Sequence, residues 1–306
     1  MTRIRTMLVA ALAAALAPAA PAFAQDAVLN LYSARHYQTD EALYANFTKA
    51  TGIRINRIEA GDEQLLERLR SEGANSPADV LLIVDASRLY NAQQLGLFQP
   101  VKSALLESRI PATLRDPGGE WFGFSSRARV IVYSKARVKA ADVPSYESLS
   151  AAANKGRVCV RSGSHPYNLS LVAAMIEHLG EPKAEAWARG VVANFARAPK
   201  GGDTDQIKAV AAGECDVALS NSYYYARLLR SARVEDQEVV AKAGIVWPDQ
   251  AGFGAHVNIS GAGVLKNAPH REAAVRFLEY LASDEAQRYF ADGNNEWPVV
   301  KSVVVR

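Results

Sequence analysis

The sequence predicts an α/β fold of two lobes joined by extended crossings, and three observations carry that expectation. Strand-like and helix-like segments alternate along the chain. The run Ala78-Asp79-Val80-Leu81-Leu82-Ile83-Val84 is almost continuously apolar, as a strand covered on both faces of a parallel sheet must be. Gly123 to Tyr133 is one long extended stretch and Gly254 to Ile259 reads as its return, so the chain leaves one body and comes back to it. A chain connected in this way is a hinged clamp able to close over a small ligand.

The elements follow in order. Val28 to Tyr32 reads as the first strand and Ser33 to Tyr37 as the loop leaving it. Thr39 or Asp40 caps a helix through Leu43, Tyr44 and Phe47 that Gly52 closes. Ile53 to Ile58 alternates as a strand, Asp62 to Leu69 is helical, and Asn75-Ser76-Pro77 turns the chain into the apolar strand. A helix from Ala86 to Leu95 ends at Gly96. Beyond the extended stretch, Tyr146 to Ala153 reads as a helix, Arg157 to Val160 as a strand, and Ser164 to Asn168 as a loop. Helices are expected over Leu169–Leu179, Lys183–Arg197 and Thr204–Ala212, then a strand from Cys215 to Ser220. Ile245 to Pro248 ends the second body, and helices over Arg271–Leu281 and Asp284–Ala291 finish the chain. The expected division places residues 27–124 with about 253–290 in the first lobe, and 125–252 with about 291–306 in the second.

Residues 1–24 read as an export signal. Arg3 and Arg5 are the positive region, Met7 to Ala20 the apolar region, and Ala22-Phe23-Ala24 the cleavage site. The apolar part is too short to span a bilayer. The formal net charge of +3 includes two leader arginines, so the exported chain is close to neutral, and no Lys/Arg stripe suggests nucleic-acid binding. Two cysteines, Cys159 and Cys215, lie beside strands; in an oxidising compartment they form either a bridge or two buried thiols. No G-x-S-x-G elbow, Walker loop or dinucleotide fingerprint is present, and Gly261-Ala262-Gly263 is a glycine pair without the rest of that fingerprint, so an enzyme is not expected.

The chemistry concentrates at Asn221-Ser222-Tyr223-Tyr224-Tyr225-Ala226-Arg227, directly after an apolar run. Taken alone, a tyrosine run is more often a packing or interface feature. At a strand-to-helix turn, however, neighbouring rings converge on one point. A phenol with a reference pKa near 10 ionises at neutral pH only beside a strong Lewis acid. The loops at 33–37, 164–168 and 220–225, with 85–88 as a weaker fourth, all leave strands, where open α/β sheets bind ligands. His36, Tyr37, Tyr167, Tyr223 and Tyr224 therefore form a candidate hard, anionic donor set, which suits Fe(III) better than zinc or copper. His165 competes for a place in it. His178, His256 and His270 are expected to be structural.

On these residues the chain resembles the ferric-iron-binding proteins of bacterial ABC transporters, in particular the branch whose site needs no large synergistic anion. The likeness rests on Leu31-Tyr32-Ser33-Ala34-Arg35-His36-Tyr37, Asn56 to Ala60, Ser76 to Val80, Gly123 to Val130, Asn221 to Tyr224, His256 to Gly263 and Asn294 to Val299. It implies a two-lobe periplasmic-binding-protein type II fold, a periplasmic monomer, and delivery of Fe(III) to an inner-membrane permease with its ATPase. It also implies ligation by Tyr223, Tyr224, Tyr167 and Tyr37, with His36 as a fifth ligand in some members. Arg127 falls where a cation offsets phenolate charge or holds carbonate or another small anion, and Arg35 is a weaker candidate for that role. The resemblance leaves open Fe(II) against Fe(III), and release by reduction or by protonation. The rival expectations are a binding protein for another solute such as an oxyanion, and an adhesion module using the tyrosines as a surface hot spot.

Overall fold

The computed structural model describes residues 27–35, 37 and 39–304. The expected export signal and His36 lie outside the described residues. β1 (Val28–Ser33), α1 (Asp40–Thr51), β2 (Arg54–Glu59), α2 (Asp62–Glu72), β3 (Val80–Val84) and α3 (Ala86–Gln94) open the chain as expected. α1 carries Asp40 and Glu41 in its first turn and ends at Gly52, whose φ of 74° is the left-handed conformation glycine adopts without strain. α4 (Ala104–Arg109), which the sequence pattern did not suggest, precedes β4 (Phe122–Ser134).

The second half begins with a departure. The helix expected over 146–153 is replaced by two three-ten turns, at Glu147–Ser150 and Ala152–Asn154. Ser148 N–H donates to the Ser145 hydroxyl and the Asn154 amide donates to Ser148 O, so side chains compete with the helical ladder. β5 is brief (Val158–Cys159). α5 (Pro166–Leu179), α6 (Glu181–Ala193), α7 (Asp203–Ala212), β6 (Val217–Asn221) and α8 (Ser222–Arg230) follow. α5 therefore starts three residues earlier than expected, because Pro166 occupies its first turn and the His165 ring caps it. α9 (Val234–Lys242), also unexpected, leads to β7 (Ala243–Val246), β8 (Val257–Val264), α10 (Arg271–Leu281), α11 (Asp284–Asn294) and β9 (Trp297–Pro298).

The strands run in the order β2-β1-β3-β8-β4-β6-β5, with β7 and β9 also pairing β4. β1 pairs β2 and β3 in parallel, and β5 pairs β6 in parallel; every pairing of β4 and β8 is antiparallel. β4 is the shared spine. Its residues 122–128 pair β8, and its residues 129–134 pair β6 or β7. Arg129 N–H donates to His256 O at 2.8 Å where the outgoing and returning strands cross. The glycine pair lies on β8, against this spine. A Cβ on Gly261 would come within 2.7 Å of Phe122 O and 2.6 Å of Leu89, so the glycines serve close strand packing.

The architecture is a two-lobe α/β periplasmic-binding-protein fold with mixed sheets and a hinge. On one side of the crossing, Leu29, Leu31, Phe47, Val80, Phe122 and Phe277 form a core, with Tyr32, Leu66, Leu81 and Ile83 on the other face of the same strands. On the other side, Ile131, Val158, Leu171, Met175 and Leu219 form one core and Val132, Ile207, Ala218 and Leu228 another. The tail departs from its expected place with the second lobe. Val299, Val300 and Val303 pack into the core of Leu29 and Phe47. Gln287 holds them there, its Oε1 accepting from Val299 N at 2.8 Å and its amide donating to Phe124 O.

Cys159 and Cys215 are bonded, with Cα atoms 5.9 Å apart. Of the two states the sequence leaves open, the bridge is the one present, beside the parallel pairing of β5 and β6.

Candidate metal centre

Three chain segments bring their phenols to one point. Tyr37 comes from the loop after β1, Tyr167 from the first turn of α5, and Tyr223 from the first turn of α8. Tyr223 is the hub. Tyr37 Oη donates to Tyr223 Oη at 3.2 Å, and Tyr167 Oη and Tyr223 Oη are hydrogen-bonded at 3.2 Å. Tyr224 packs its ring 4.2 Å from that of Tyr223 and stays half-buried. The adjacent rings lie tilted against each other because they leave a helix start; in a strand they would point to opposite faces. Tyr225 points away: its hydroxyl donates to Ala243 O at 3.0 Å, so this third phenol of the run is structural.

Burial sets the protonation of the cluster. Desolvation pushes Tyr37 and Tyr223 well above the ordinary phenol range; Glu296 adds to the rise at Tyr37, and the neighbouring phenols at Tyr223. Tyr167 is pushed up to about 12, by burial first and then by Tyr224, with Arg127 and the bond from Tyr223 opposing. Two features favour phenolates once something displaces the protons. Tyr167 and Tyr223 sit at helix N-termini, where the macrodipole is positive. Guanidinium groups also ring the site: Arg35 lies 4.8 Å from the Tyr37 ring centre, Arg161, Arg127 and Arg129 lie 5.1–5.9 Å from that of Tyr167, and Arg227 lies 5.7–5.9 Å from those of Tyr37, Tyr223 and Tyr224.

These cations differ in how they are held. Arg35 is fully buried and committed to Asp40 and Glu296, so its charge is already balanced. Arg129 is held by Asp203, Asn168 and Asn221. Arg127 is 1 % exposed; its Nη1 donates to Ser260 Oγ at 3.0 Å, while Nε and Nη2 have no hydrogen-bond partner among the described residues. Burial works against the Arg127 charge, yet Tyr167, Glu296, Tyr223 and Tyr37 hold its pKa above the usual value.

Of the sequence-derived donors, the structure brings together Tyr37, Tyr167, Tyr223 and Tyr224. His165 instead caps α5, its Nδ1 accepting from Tyr167 N at 3.3 Å. His178 stacks on Phe253 and His270 bonds Asp79. Among the described residues no group of three or more His, Cys, Asp or Glu could hold a metal ion. The sequence reading missed Glu296, Arg129, Arg161 and Arg227. Two of these carried a signal: Arg129 shares a strand face with Arg127, and Arg227 stands one helical turn from Tyr223.

Comparison with known proteins identifies the family. The sequence model of a family described as bacterial extracellular solute-binding protein matches residues 75–306. Iron uptake protein A2 of Synechocystis is 55% identical over 286 residues, covering 93% of this chain and 81% of that protein. A Trichodesmium FutA (IdiA) structure in complex with iron and citrate ligands superposes with a TM-score of 0.86 at 56% identity, over 91% of this chain and 88% of that one. The apo FutA2 structure from Synechocystis gives a TM-score of 0.86 at 55% identity, over 92% of this chain and 89% of that one. Such proteins bind solutes and are not enzymes. No helix among the described residues is long and apolar enough to cross a membrane.

Proposed function

We propose that this chain, which belongs to the bacterial extracellular solute-binding protein family, captures Fe(III) in the periplasm on the phenolates of Tyr37, Tyr167, Tyr223 and Tyr224. It then delivers the ion to an inner-membrane ABC permease driven by its ATPase. The observation that carries the reading is the convergence of Tyr37 from one lobe and Tyr167 from the other on the Tyr223 hydroxyl. The lobes that close are taken as residues 27–124 with about 253–304, and residues 125–252. The tail joins the first because its valines pack there. His36, beside Tyr37, is the fifth ligand of this proposal.

The chemistry follows from the donors. Fe(III) displaces the phenol protons, and the ion's charge replaces the hydration that burial has removed. Closure brings Tyr37 to ligands already gathered in the second lobe, so capture is a shift of population toward the closed form. The unpartnered Arg127 N–H groups offset the phenolates or take up carbonate or another small anion. The same N–H groups favour the second reading, an oxyanion carrier that uses phenols as neutral donors.

Titration of the exported protein with ferric citrate, followed by visible absorption, separates the two. A phenolate-to-iron charge-transfer band saturating at one equivalent supports the iron reading. A colourless protein at every iron excess refutes it and leaves the oxyanion carrier.

A further inference from the structure

We infer that Asp85, at the end of β3, is a latch that holds the two lobes together through Ser170 of α5, independently of any ion on the phenols. The backbone is the first sign. Asp85 has φ of 87° and ψ of 125°, a conformation a non-glycine residue keeps only where its surroundings over-determine it.

The carboxylate is the second sign. It is wholly buried and accepts from four donors: Ser87 N at 3.0 Å, Ser87 Oγ at 2.6 Å, Asn258 Nδ2 at 2.8 Å and Ser170 Oγ at 2.6 Å. The two Ser87 bonds alone account for an ordinary cap of α3. The other two reach further. Asn258 lies on β8 where that strand pairs Arg127 at the crossing, and its Oδ1 accepts in turn from Ala86 N at 2.8 Å. Ser170 belongs to the other lobe: its neighbours Leu171 and Met175 pack in the core of Val158 and Leu219. One carboxylate therefore joins first lobe, hinge strand and second lobe.

The surroundings give this contact weight. Ala86, Ser87, Pro166 and Ser170 line a cavity of about 660 Å³ between α3 and α5, so the helices are not sealed there by close apolar packing. A charge-assisted hydrogen bond across such a gap is among the stronger single polar contacts. Ser170 is also three residues after Tyr167, on the same face of α5. Holding Ser170 holds the turn that presents Tyr167 to Tyr223.

The consequence is a coupling of closure to affinity without any change in the ligands. Apparent affinity scales with the fraction of molecules in the competent form. Ser170→Ala removes the interlobe donor and leaves the Ser87 cap of α3 intact. X-ray scattering of the metal-free Ser170→Ala protein is expected to show a larger radius of gyration than wild type. Its loss of iron to excess citrate is expected to be about tenfold faster, equivalent to about 1.4 kcal/mol, with the charge-transfer band unmoved in wavelength. Ser87→Ala, which deletes a donor to the same carboxylate within one lobe, is expected to change neither scattering nor release. Wild-type scattering and release in Ser170→Ala overturn the latch, as does an equal effect from Ser87→Ala. The release arm rests on the proposed iron site, but the scattering of metal-free protein does not. An absent iron band would therefore defeat the function while the latch is still decided.

Discussion

Replacing Tyr223 by Phe tests the centre most directly, because its hydroxyl is the one that both Tyr37 and Tyr167 reach. Two opposed quantities set the size of the effect. A trivalent ion and a phenolate oxygen attract by about 12 kcal/mol even at roughly 4 Å and an effective dielectric near 20, and by more at the shorter distance of a ligand. Against this, deprotonating a phenol of pKa about 10 at neutral pH costs about 4 kcal/mol, and more at Tyr223, whose pKa burial raises further. Attraction wins by several kcal/mol, part of which a replacing water recovers. Tyr223→Phe is expected to weaken Fe(III) binding at least a thousandfold, about 4 kcal/mol, with loss of most of the charge-transfer intensity. Tyr225→Phe is the internal control. Its hydroxyl bonds the Ala243 carbonyl, so it should cost about 1 kcal/mol of stability and leave iron binding alone. Competition titration against citrate reads the affinities, and urea unfolding the stabilities. Iron affinity of Tyr223→Phe within tenfold of wild type would refute the tyrosinate site.

Three further outcomes follow from the same geometry. Because burial keeps Tyr37, Tyr167 and Tyr223 protonated in the metal-free protein, binding releases their protons. Affinity measured between about pH 6 and about pH 8 should therefore rise about tenfold per pH unit for each phenol that ionises; a flat profile contradicts this. Reduction of Cys159–Cys215, which bridges a sequence separation of 56, should lower stability by about 2–4 kcal/mol in urea unfolding while the iron band persists. Burial holds His256 down to about 4 from an ordinary 6.5; Asp85 opposes the fall, and Arg129 and Arg127 add to it. The unfolded chain then takes up the proton first as pH falls, so stability present above about 6.5 is lost toward about 4. His256→Gln should flatten that acid slope in urea midpoints, and an unchanged slope would show that another group causes it.

Much of this fold is legible in local pattern. The apolar run at Val80–Val84 announces a central strand, Gly52 a helix end, and the stretch from Phe122 a crossing strand. The failures have physical reasons. Pro166 reads as a turn residue and so places Tyr167 in a loop, yet proline fits the first turn of a helix without loss, and Tyr167 lies in that turn. Residues 146–153 have a helical composition but are flanked by Ser145 and Asn154, whose side chains bind local backbone, and the ladder never closes. The tail reads as more of the second lobe; the packing of Val299, Val300 and Val303 and the bonds of Gln287 to Val299 and Phe124 bring it to the first.

The candidate centre divides along the same line. Tyr223 and Tyr224 are legible because adjacency and a preceding strand suffice to bring two rings to a sheet edge. Their cations are less so, since Arg161 and Asp203 meet Tyr167 and Arg129 only through the packing of α7 against β6. Asp85 is the limiting case. In sequence it is an aspartate after a buried strand and before a helix, and capping accounts for it completely. A second role becomes visible only when its φ, its buried carboxylate and a serine 85 positions away are seen together. A clamp needs contacts of this kind: local enough in one lobe to be stable when open, and incomplete enough to be satisfied only when the other lobe arrives. Sequence pattern records the first property and is blind to the second.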